Sequence, residues 1–402
     1  MKKLKTENYK GVRDFYPRDV FFQEYIFETW RKAVESYGFE EYNASLLENS
    51  EIYKAKTSEE IINNQTYSFI DRGDREVTLR PEMTPTLARM IAAKKRELSF
   101  PLRLYSIPNC FRYERPQRGR LREFWQLNVD ILNVKNDKFY DIEILKLINQ
   151  ILLNFKASPS DFTIKINSRA LLNSVYENYY EFNKNEALAF QRLLDKKDKI
   201  TAAEFKKEYE KITDKEYKDI ADIDDKKVKK ELEYINEIIK SVGIANIEFD
   251  QNIVRGFDYY TGIVFEVFDT NPENNRALFG GGRYENLIDL FETVKDDVNI
   301  SGIGFGIGDV PMMNFLESRN LLPEFVSSTD VLVGILSDDI KVVEYADIVT
   351  NELRAQGKNV SINYDGKKVG DIMKMAEKNN IKSVVVIGEK ELEERKFEVK
   401  EI

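Results

Sequence analysis

Apolar positions change their spacing along the chain, and each spacing predicts a different kind of element. Helical spacing predicts helices at residues 18–37 and 139–155. A further helix is predicted around Pro85, because proline suits the first turn of a helix. Residues 102–115 and 121–134 are expected to be two strands joined into a long hairpin by an arginine-rich loop. The first third of the chain therefore mixes helices with strands.

The middle of the chain changes in composition. Residues 185–242 are rich in Lys, Glu and Asp and contain no glycine, which predicts an all-helical insertion spanning about residues 172–245. Strands are expected again at residues 246–268, and they lead into a glycine-rich segment at residues 280–308. Strands therefore precede and follow the helical segment.

The C-terminal part alternates strands and helices. Residues 323–328 are expected to be a linker, and residues 329–402 follow a strand-helix-strand-helix-strand pattern. Such alternation is typical of a small α/β domain with parallel strands. The pattern therefore predicts an α/β fold with at least two domains.

Composition and charge narrow the class of protein. Among the 402 residues 42% are hydrophobic and 33% charged, which is typical of a globular protein. The longest apolar runs are strand-sized and no charged-then-apolar leader opens the chain, so neither a membrane protein nor a secreted precursor is expected. A single cysteine, Cys110, excludes an internal disulfide framework and fits a cytoplasmic protein. The net charge of -9 argues against general nucleic-acid affinity but allows a local basic patch.

The chain contains no histidine. This excludes Ser-His-Asp and Cys-His catalysis, imidazole general bases and histidine-ligated zinc. With one cysteine, a structural zinc site is excluded as well. Chemistry would have to use carboxylates, arginines, tyrosines, backbone amides and a hard cation such as Mg²⁺.

The predicted hairpin has one polar face. On the returning strand Gln126, Asn128 and Asp130 alternate with apolar residues, so they share a face. Arg112 and Glu114 lie on the outgoing strand. The loop adds further arginines: Arg115, Arg118, Arg120 and Arg122. This face is either the solvated side of an antiparallel sheet or a ligand-binding surface, and the residues alone leave both open.

Two shorter segments also carry candidate binding residues. In LRPEMTPT, Glu82 and Thr84 could bind an ammonium group, or Thr84 could cap the helix that follows. In RGFDYYTGIVFEVF, Tyr259 and Tyr260 precede an apolar strand, and such a pair is more often part of a core or interface. Because neighbouring strand residues point to opposite faces, at most one tyrosine is expected to line a given pocket wall.

Glycine recurs at every second position in SGIGFGIGD. The residues Gly302, Gly304, Gly306 and Gly308 would leave one face of a strand without side chains, which allows close approach by a flat ligand or another backbone. Tight packing against a helix is the alternative explanation. The segment is neither GxGxxG nor a phosphate-binding loop, and Asp309 could cap the next helix.

Taken together, these segments resemble histidyl-tRNA synthetase, a class II aminoacyl-tRNA synthetase, over residues 8–395. FRYERPQRGRLREFWQLNVDI is similar to its motif 2, and RGFDYY and GGGRYENL to its two histidine signatures. SGIGFGIGD is found where motif 3 is expected, and the terminal domain resembles the anticodon-binding module. The chain departs from the family in several places: Ser45 replaces the usual motif 1 proline, GDVPMM lacks the motif 3 arginine, and Asp130 is one carbon shorter than the glutamate of many relatives.

The resemblance implies a domain plan and partners. A class II catalytic core at residues 1–322 would have a mainly antiparallel sheet flanked by helices, with the helical insertion at about 172–245. After the linker at 323–328, residues 329–402 would form an anticodon-binding-like α/β domain. A homodimer that pairs through motif 1 is expected.

The implied activity is histidine–tRNA ligation. L-Histidine reacts with ATP to give histidyl-adenylate and pyrophosphate, and histidine then passes to the 3′ end of its tRNA. Arg112 and Arg255 would be catalytic, through contacts with the attacked phosphate and with the substrate carboxylate and α-phosphate. Mg²⁺ would bind through the ATP phosphates rather than through His or Cys.

The resemblance also assigns binding residues. Glu82 and Thr84 would hold the ammonium group of histidine and Gln126 its carboxylate end, while Asp130 and one of Tyr259 and Tyr260 would read the imidazole. The remaining assignments are Gly281 for histidine, Arg112, Glu114, Gly304 and Gly306 for ATP, and Arg118 and Arg120 for the tRNA acceptor end.

Two other classes of protein would resemble this chain in sequence. A catalytically silent paralogue that regulates histidine synthesis would share the core, and a tRNA-binding accessory protein would share the tRNA contacts. Arg112, Gln126, Arg255 and the terminal domain are all present, which favours the enzyme. In residues 329–402 Asp and Glu outnumber Lys and Arg, so anticodon binding would use a local patch. Its expected members are Lys367, Lys368 and Lys374.

Overall fold

The computed structural model divides the chain into two units. Their bounds are Met1–Phe15 with Gln23–Leu322, and Tyr16–Phe22 with Pro323–Ile402. The structure describes residues 4–402 except 55–64, 134–137, 195–196, 198–199, 254–258, 275, 286–287, 289–290, 292–299 and 366–367. Each unit combines a mixed sheet with helices, so the predicted α/β fold class is confirmed.

The first unit contains two sheets. Its strands are β1 Glu40–Glu41, β2 Leu47–Asn49, β3 Tyr67–Ile70, β4 Glu76–Leu79, β5 Leu102–Ser106, β6 Asn109–Phe111, β7 Glu123–Asn133, β8 Phe162–Ser168, β9 Ile247–Phe249, β10 Tyr260–Asp269, β11 Ala277–Tyr284 and β12 Ser301–Gly308. The large sheet follows the order β1-β5-β7-β12-β11-β10-β8-β9. Strand β6 pairs with the first three residues of β7, 123–125. Only the outer pairs β1–β5 and β8–β9 are parallel among the described pairings of this sheet. The sheet is therefore mainly antiparallel, as predicted.

Helices cover one face of this large sheet. The helices before Pro323 are α1 Pro17–Glu35, whose residues up to Phe22 are assigned to the second unit, and then α2 Ser50–Lys54, α3 Thr84–Lys94, α4 Lys138–Asn154, α5 Arg169–Ser174, α6 Lys184–Leu194, α7 Ala202–Tyr209, α8 Lys226–Val242 and α9 Asp309–Ser318. Buried side chains of α1 and α4, among them Trp30 and Ile148, share one hydrophobic core with Val129 of β7 and Phe305 of β12. Because strand residues alternate between faces, the polar residues of β7 lie on the opposite face. None of the described helices is both long and apolar enough for a membrane span.

The predicted hairpin is broken in its first strand. The expected strand at 102–115 consists of β5 and β6 with a break at Ile107 and Pro108, and residues 112–122 form the loop. Proline has no backbone N–H to donate to a ladder. The carbonyl of Pro108 instead accepts the N–H of Gln126 at 3.0 Å, so β7 is continuous while its partner is interrupted.

Helices α5 to α8 lie between Arg169 and Val242, which closely matches the region of about 172–245 that was predicted to be helical. In α8 the buried residues Val228, Ile235 and Val242 recur at multiples of seven, which places them on one face. Asp225 caps its first turn and Gly243, at φ +69°, ends it in the left-handed conformation. These end signals explain why the helix begins and ends where it does.

The second unit is a small sheet between helices. Its elements are β13 Val331–Ile335, α10 Ile340–Ala355, β14 Val360–Asn363, α11 Val369–Lys378, β15 Ser383–Ile387, α12 Glu389–Glu394 and β16 Lys400–Glu401. β13 is parallel to β14 and β15, as predicted, and β16 is antiparallel to β15. Val333 belongs to the core under α10 and Leu332 to the core under α11, so these helices cover opposite faces. The sequence pattern did not predict α12 or β16.

Candidate active site

A cavity of about 1020 Å³ opens on the polar face of the large sheet. Strands β7, β10, β11 and β12 contribute to its wall, and so do α3 and the loop after β6. All the predicted site residues in the described part of the chain line it: Glu82, Thr84, Arg112, Glu114, Arg118, Arg120, Gln126, Asp130, Tyr259, Tyr260, Gly281, Gly304 and Gly306. Arg255 lies outside the described residues. The polar face is therefore a cavity wall, and Asp130 is only 3% exposed, unlike the solvated face that was the alternative.

The glycines of β12 make room for side chains of the neighbouring strands. Gly304 pairs with Asp130 in the β7 register. A Cβ on Gly304 would overlap the Asp130 carboxylate, and a Cβ on Gly306 would overlap the amide of Gln126. A Cβ on Gly281 would meet the carbonyl oxygen of Gly304, because β11 and β12 lie close together. The space at Gly304 and Gly306 is thus occupied by side chains from β7, a possibility not considered beside the flat ligand, another backbone and the helix.

Asp130 lies at the buried end of the cavity. The hydroxyl of Tyr284 donates to its Oδ1 at 2.8 Å. Burial raises the pKa of Asp130 to about 7, and the hydrogen bond from Tyr284 opposes this rise. Near neutral pH the carboxyl group can therefore either accept or donate a proton in a hydrogen bond. An imidazole offers both an N–H donor and a nitrogen acceptor, so the two groups are chemically matched.

Two tyrosines and Glu82 surround the same end. The hydroxyl of Tyr259 donates to Oε2 of Glu82 at 3.3 Å, and the rings of Tyr259 and Tyr260 are 4.9 Å apart. Both tyrosines line the cavity. The alternation of strand residues does not apply, because β10 begins only at Tyr260. Glu82 is 3% exposed, and a buried carboxylate of this kind suits an ammonium ligand.

Two predicted helix caps are not formed. Thr84 is the first residue of α3, and the cap position is Met83, with no side-chain hydrogen bond to the helix end. Asp309 is likewise the first residue of α9, after Gly308. Its carboxylate instead accepts hydrogen bonds from Arg13 at 2.6 Å and from the Trp125 N–H at 3.0 Å, and burial raises its pKa. Thr84 thus lines the cavity, while Asp309 attaches the N-terminal segment to β7.

Arg112 is held mainly by neutral groups. Its Nε donates to the carbonyl of Pro81 at 2.9 Å, and its guanidinium carbon is 5.3 Å from the ring centre of Phe124. The carboxylate of Glu114 is 4.0 Å away and accepts a shorter hydrogen bond, 3.2 Å, from Arg120. Such an arrangement orients the guanidinium but leaves most of its charge for an anionic ligand.

The tip of the loop is a tight turn. Gln117 and Arg120 exchange backbone hydrogen bonds of 3.0 and 2.9 Å. Gly119 has φ +79°, a conformation that glycine adopts without strain. Arg118 and Gly119 therefore form the two-residue tip, and both predicted tRNA-contact arginines lie at it or beside it.

Several cavity residues were missed by the sequence analysis. Tyr284 follows the GGGR segment, and its ring fills the place where a Cβ on Gly302 would lie. The alternating glycines could have indicated a large neighbour, but only the strand register identifies it. Lys165 and Asp250 form an ion pair of 2.7 Å on the far wall and are 85 positions apart, so no local pattern indicated them. Within the described ranges, no group of three or more acidic, Cys or His side chains forms a metal site.

The chain matches two known families. The profile of histidyl-tRNA synthetase matches residues 11–308, and that of the anticodon binding domain matches residues 330–402. Over 417 aligned residues the chain is 42% identical to the histidine–tRNA ligase of Leptospira biflexa, covering 100% of this chain and 94% of that protein.

Two solved structures share the fold. Histidyl-tRNA synthetase from a Nostoc species superposes with a TM-score of 0.80 at 24% identity, over 99% of this chain and 95% of that one. An ATP phosphoribosyltransferase regulatory subunit/histidyl-tRNA synthetase from Bacillus halodurans superposes with a TM-score of 0.73 at 20% identity, over 96% and 100%. At these identities the structures show the fold alone. The family profile and the full-length sequence match go further, and this chain belongs to the histidyl-tRNA synthetase family.

Proposed function

We propose that the cavity activates L-histidine with ATP and then transfers histidine to the 3′ end of its tRNA. The observation that carries this proposal is the convergence of the buried Glu82 and Asp130 with Arg112 in one cavity. The carboxylates suit a small cationic substrate, and the arginine suits a phosphate. An ATP-dependent ligase of the family needs both substrates to meet in one cavity.

Histidine would bind at the Asp130 end. Glu82 and Thr84 would take the ammonium group, and Gln126 the carboxylate. Asp130 and Tyr260 would form hydrogen bonds with the two imidazole nitrogens, and the backbone of Gly281 would pack against the ring. Gly304 and Gly306 leave room for the side chains of Asp130 and Gln126 at this end of the cavity.

ATP would lie along the rest of the cavity. Arg112 would hold the attacked α-phosphate and Glu114 the adenine end, over the backbone of Gly304 and Gly306. Arg255 would neutralise the charge that develops as the histidine carboxylate attacks the α-phosphate and pyrophosphate leaves. Mg²⁺ would be held mainly by ATP phosphate oxygens and water.

The tRNA would be bound by both parts of the chain. Arg118 and Arg120 would meet its acceptor end at the cavity mouth. We assign residues 1–322 to the catalytic core with the insertion at about 172–245, residues 323–328 to the linker and residues 329–402 to anticodon binding. The proposed basic patch includes Lys368 and Lys374, both exposed; Lys367 lies outside the described residues. A cytoplasmic homodimer is the proposed assembly.

The regulatory paralogue is the second candidate. One structural relative carries both descriptions in its name, so the shared fold does not separate the two functions. The match of residues 330–402 to an anticodon binding domain favours the ligase, because a regulator that only senses histidine needs no tRNA module.

The first test is ATP–pyrophosphate exchange without tRNA. We expect exchange with histidine and with none of the other amino acids, and we expect Arg255→Ala to abolish it. Arg354→Ala on α10 is the matched control and should leave the rate unchanged, since Arg354 lies in the second unit. Calorimetric histidine binding by a protein that shows no exchange would favour the regulatory paralogue.

A further inference from the structure

The cationic side chains of the cavity differ in how far they are neutralised. The described ones are Arg112, Arg118, Arg120, Lys165 and Arg276. A carboxylate lies within 4.0 Å of three of these: Glu114 for Arg112 and Arg120, and Asp250 for Lys165. Arg118 and Arg276 make no ion pair within the described part of the chain. Arg118 lies at the tip of the loop, whereas the Nη2 of Arg276 donates to the amide oxygen of Gln117 at 3.3 Å.

The sheet topology places Arg276 at a specific edge of the cavity. It directly precedes β11, which runs antiparallel to β12. Arg276 therefore lies at the edge where β12 ends at Gly308 and α9 begins. The first turn of α9 supplies no cation there, because it reads Asp-Val-Pro and its Asp309 is paired with Arg13.

The contact with Gln117 joins this edge to the loop after β6. Gln117 is neutral, so its amide oxygen can orient the guanidinium without cancelling its charge. A guanidinium oriented in this way can bind phosphate oxygens through two parallel hydrogen bonds. Two of the acidic cavity residues, Glu82 and Asp130, lie toward the other end, where the proposed histidine pocket is, because Asp130 pairs with Gly304 rather than with the Gly308 end of β12 and Glu82 contacts Tyr259.

We propose that Arg276 binds the β- and γ-phosphates of ATP, the part that leaves as pyrophosphate. This assignment rests on the proposed function of the cavity. A triphosphate extended from the Arg112 region toward the β11 edge would meet one further cation that no carboxylate neutralises. Gln117 acts as a positioning residue, because it holds the guanidinium beside the loop that carries Arg112 and Glu114.

The test measures exchange kinetics for Arg276→Gln at varied ATP and at varied histidine. Loss of a charge-assisted contact should raise the KM for ATP about tenfold or more, with the KM for histidine unchanged. The KM for ATP of Arg276→Lys should lie between those of the natural chain and Arg276→Gln, because lysine keeps the positive charge but cannot form two parallel hydrogen bonds. Glu273→Gln, an exposed change on the same connection that does not line the cavity, is the control.

Two outcomes would overturn the assignment. One is an unchanged KM for ATP in Arg276→Gln; the other is a raised KM for tRNA alone, which would place a tRNA phosphate at Arg276 instead. ATP binding by calorimetry compares the same variants without requiring turnover. If the natural chain shows no exchange but Arg276→Gln weakens ATP binding, the proposed function fails while Arg276 remains a phosphate-binding residue.

Discussion

The carboxyl group of Asp130 should make the stability of the folded chain depend on pH. Burial raises its pKa from 3.8 to about 7. Between these values the folded chain holds the proton and the unfolded chain does not, so folding becomes less favourable as pH rises. Above pH 7 the resulting decrease in the free energy of unfolding is on the order of 4 kcal/mol. Because the chain has no histidine, few other side chains have ordinary pKa values between about 6 and 8, where this effect can be followed separately.

Asp130→Asn should remove this dependence. We expect the free energy of unfolding of the variant to match that of the natural chain near pH 4, and to exceed it increasingly up to pH 8. Denaturant unfolding at several pH values measures the difference. A difference that stays constant with pH would show that Asp130 titrates near its ordinary value. Histidine binding should be lost in the variant at every pH.

Gly306 tests the packing beneath the proposed histidine site. In Gly306→Ala the new methyl group would overlap the amide of Gln126 and force that side chain away from the cavity wall. Overpacking of this kind costs about 1–3 kcal/mol, and we expect the KM for histidine to rise by more than tenfold. Gly370→Ala on α11 is the control, because a Cβ there meets no atom within 4 Å. Equal kinetics for the two variants would contradict this explanation.

At the scale of elements, a buried ion pair joins β11 to α4. Nε of Arg283 donates to Asp141 at 2.8 Å, and Tyr234 of α8 donates to the other oxygen of Asp141 at 3.1 Å. Arg283 is 2% exposed and Asp141 is fully buried. Three elements far apart in the sequence are thus held by one carboxylate.

Removal of one partner should be more damaging than removal of both. Asp141→Leu leaves a buried guanidinium without its carboxylate and should cost roughly 3–5 kcal/mol of unfolding free energy. The double variant Asp141→Leu with Arg283→Met should recover most of that loss. Thermal and denaturant unfolding measure both, and a double variant no more stable than the single one would contradict the argument.

The sequence predicted elements better than it predicted their contacts. The alternation of Gln126 and Asp130 with apolar residues correctly identified the cavity face of β7, because a strand has a fixed period of two. Pro108 interrupts the strand that pairs with β7, and the apolar pattern did not indicate this local break. The residue types of Thr84 and Asp309 favour helix caps, but Thr84 lines the cavity and Asp309 accepts hydrogen bonds from Arg13 and Trp125. Arg276 carries no sequence signal, since its role depends on which strands are neighbours.

At the scale of the whole molecule, the two units should contribute to different steps. Lys368→Glu with Lys374→Glu, on and next to α11, should raise the KM for tRNA at least fivefold and leave ATP–pyrophosphate exchange unchanged. Lys341→Glu, exposed on α10 across the small sheet, is the matched control. Equal tRNA charging by all these proteins would place anticodon binding elsewhere on the second unit.

The glycines of β12 also limit which sequences can replace this one. Any substitution at Gly302, Gly304 or Gly306 adds at least one carbon atom where a neighbouring side chain already lies. Ile303 and Ile307, which alternate with them, face the hydrophobic core and can be exchanged for other apolar residues. Saturation mutagenesis of β12 should therefore alternate between positions where every substitution lowers activity and positions that accept several residues. Random mutation would inactivate the enzyme most often at the residues that contribute no side chain at all.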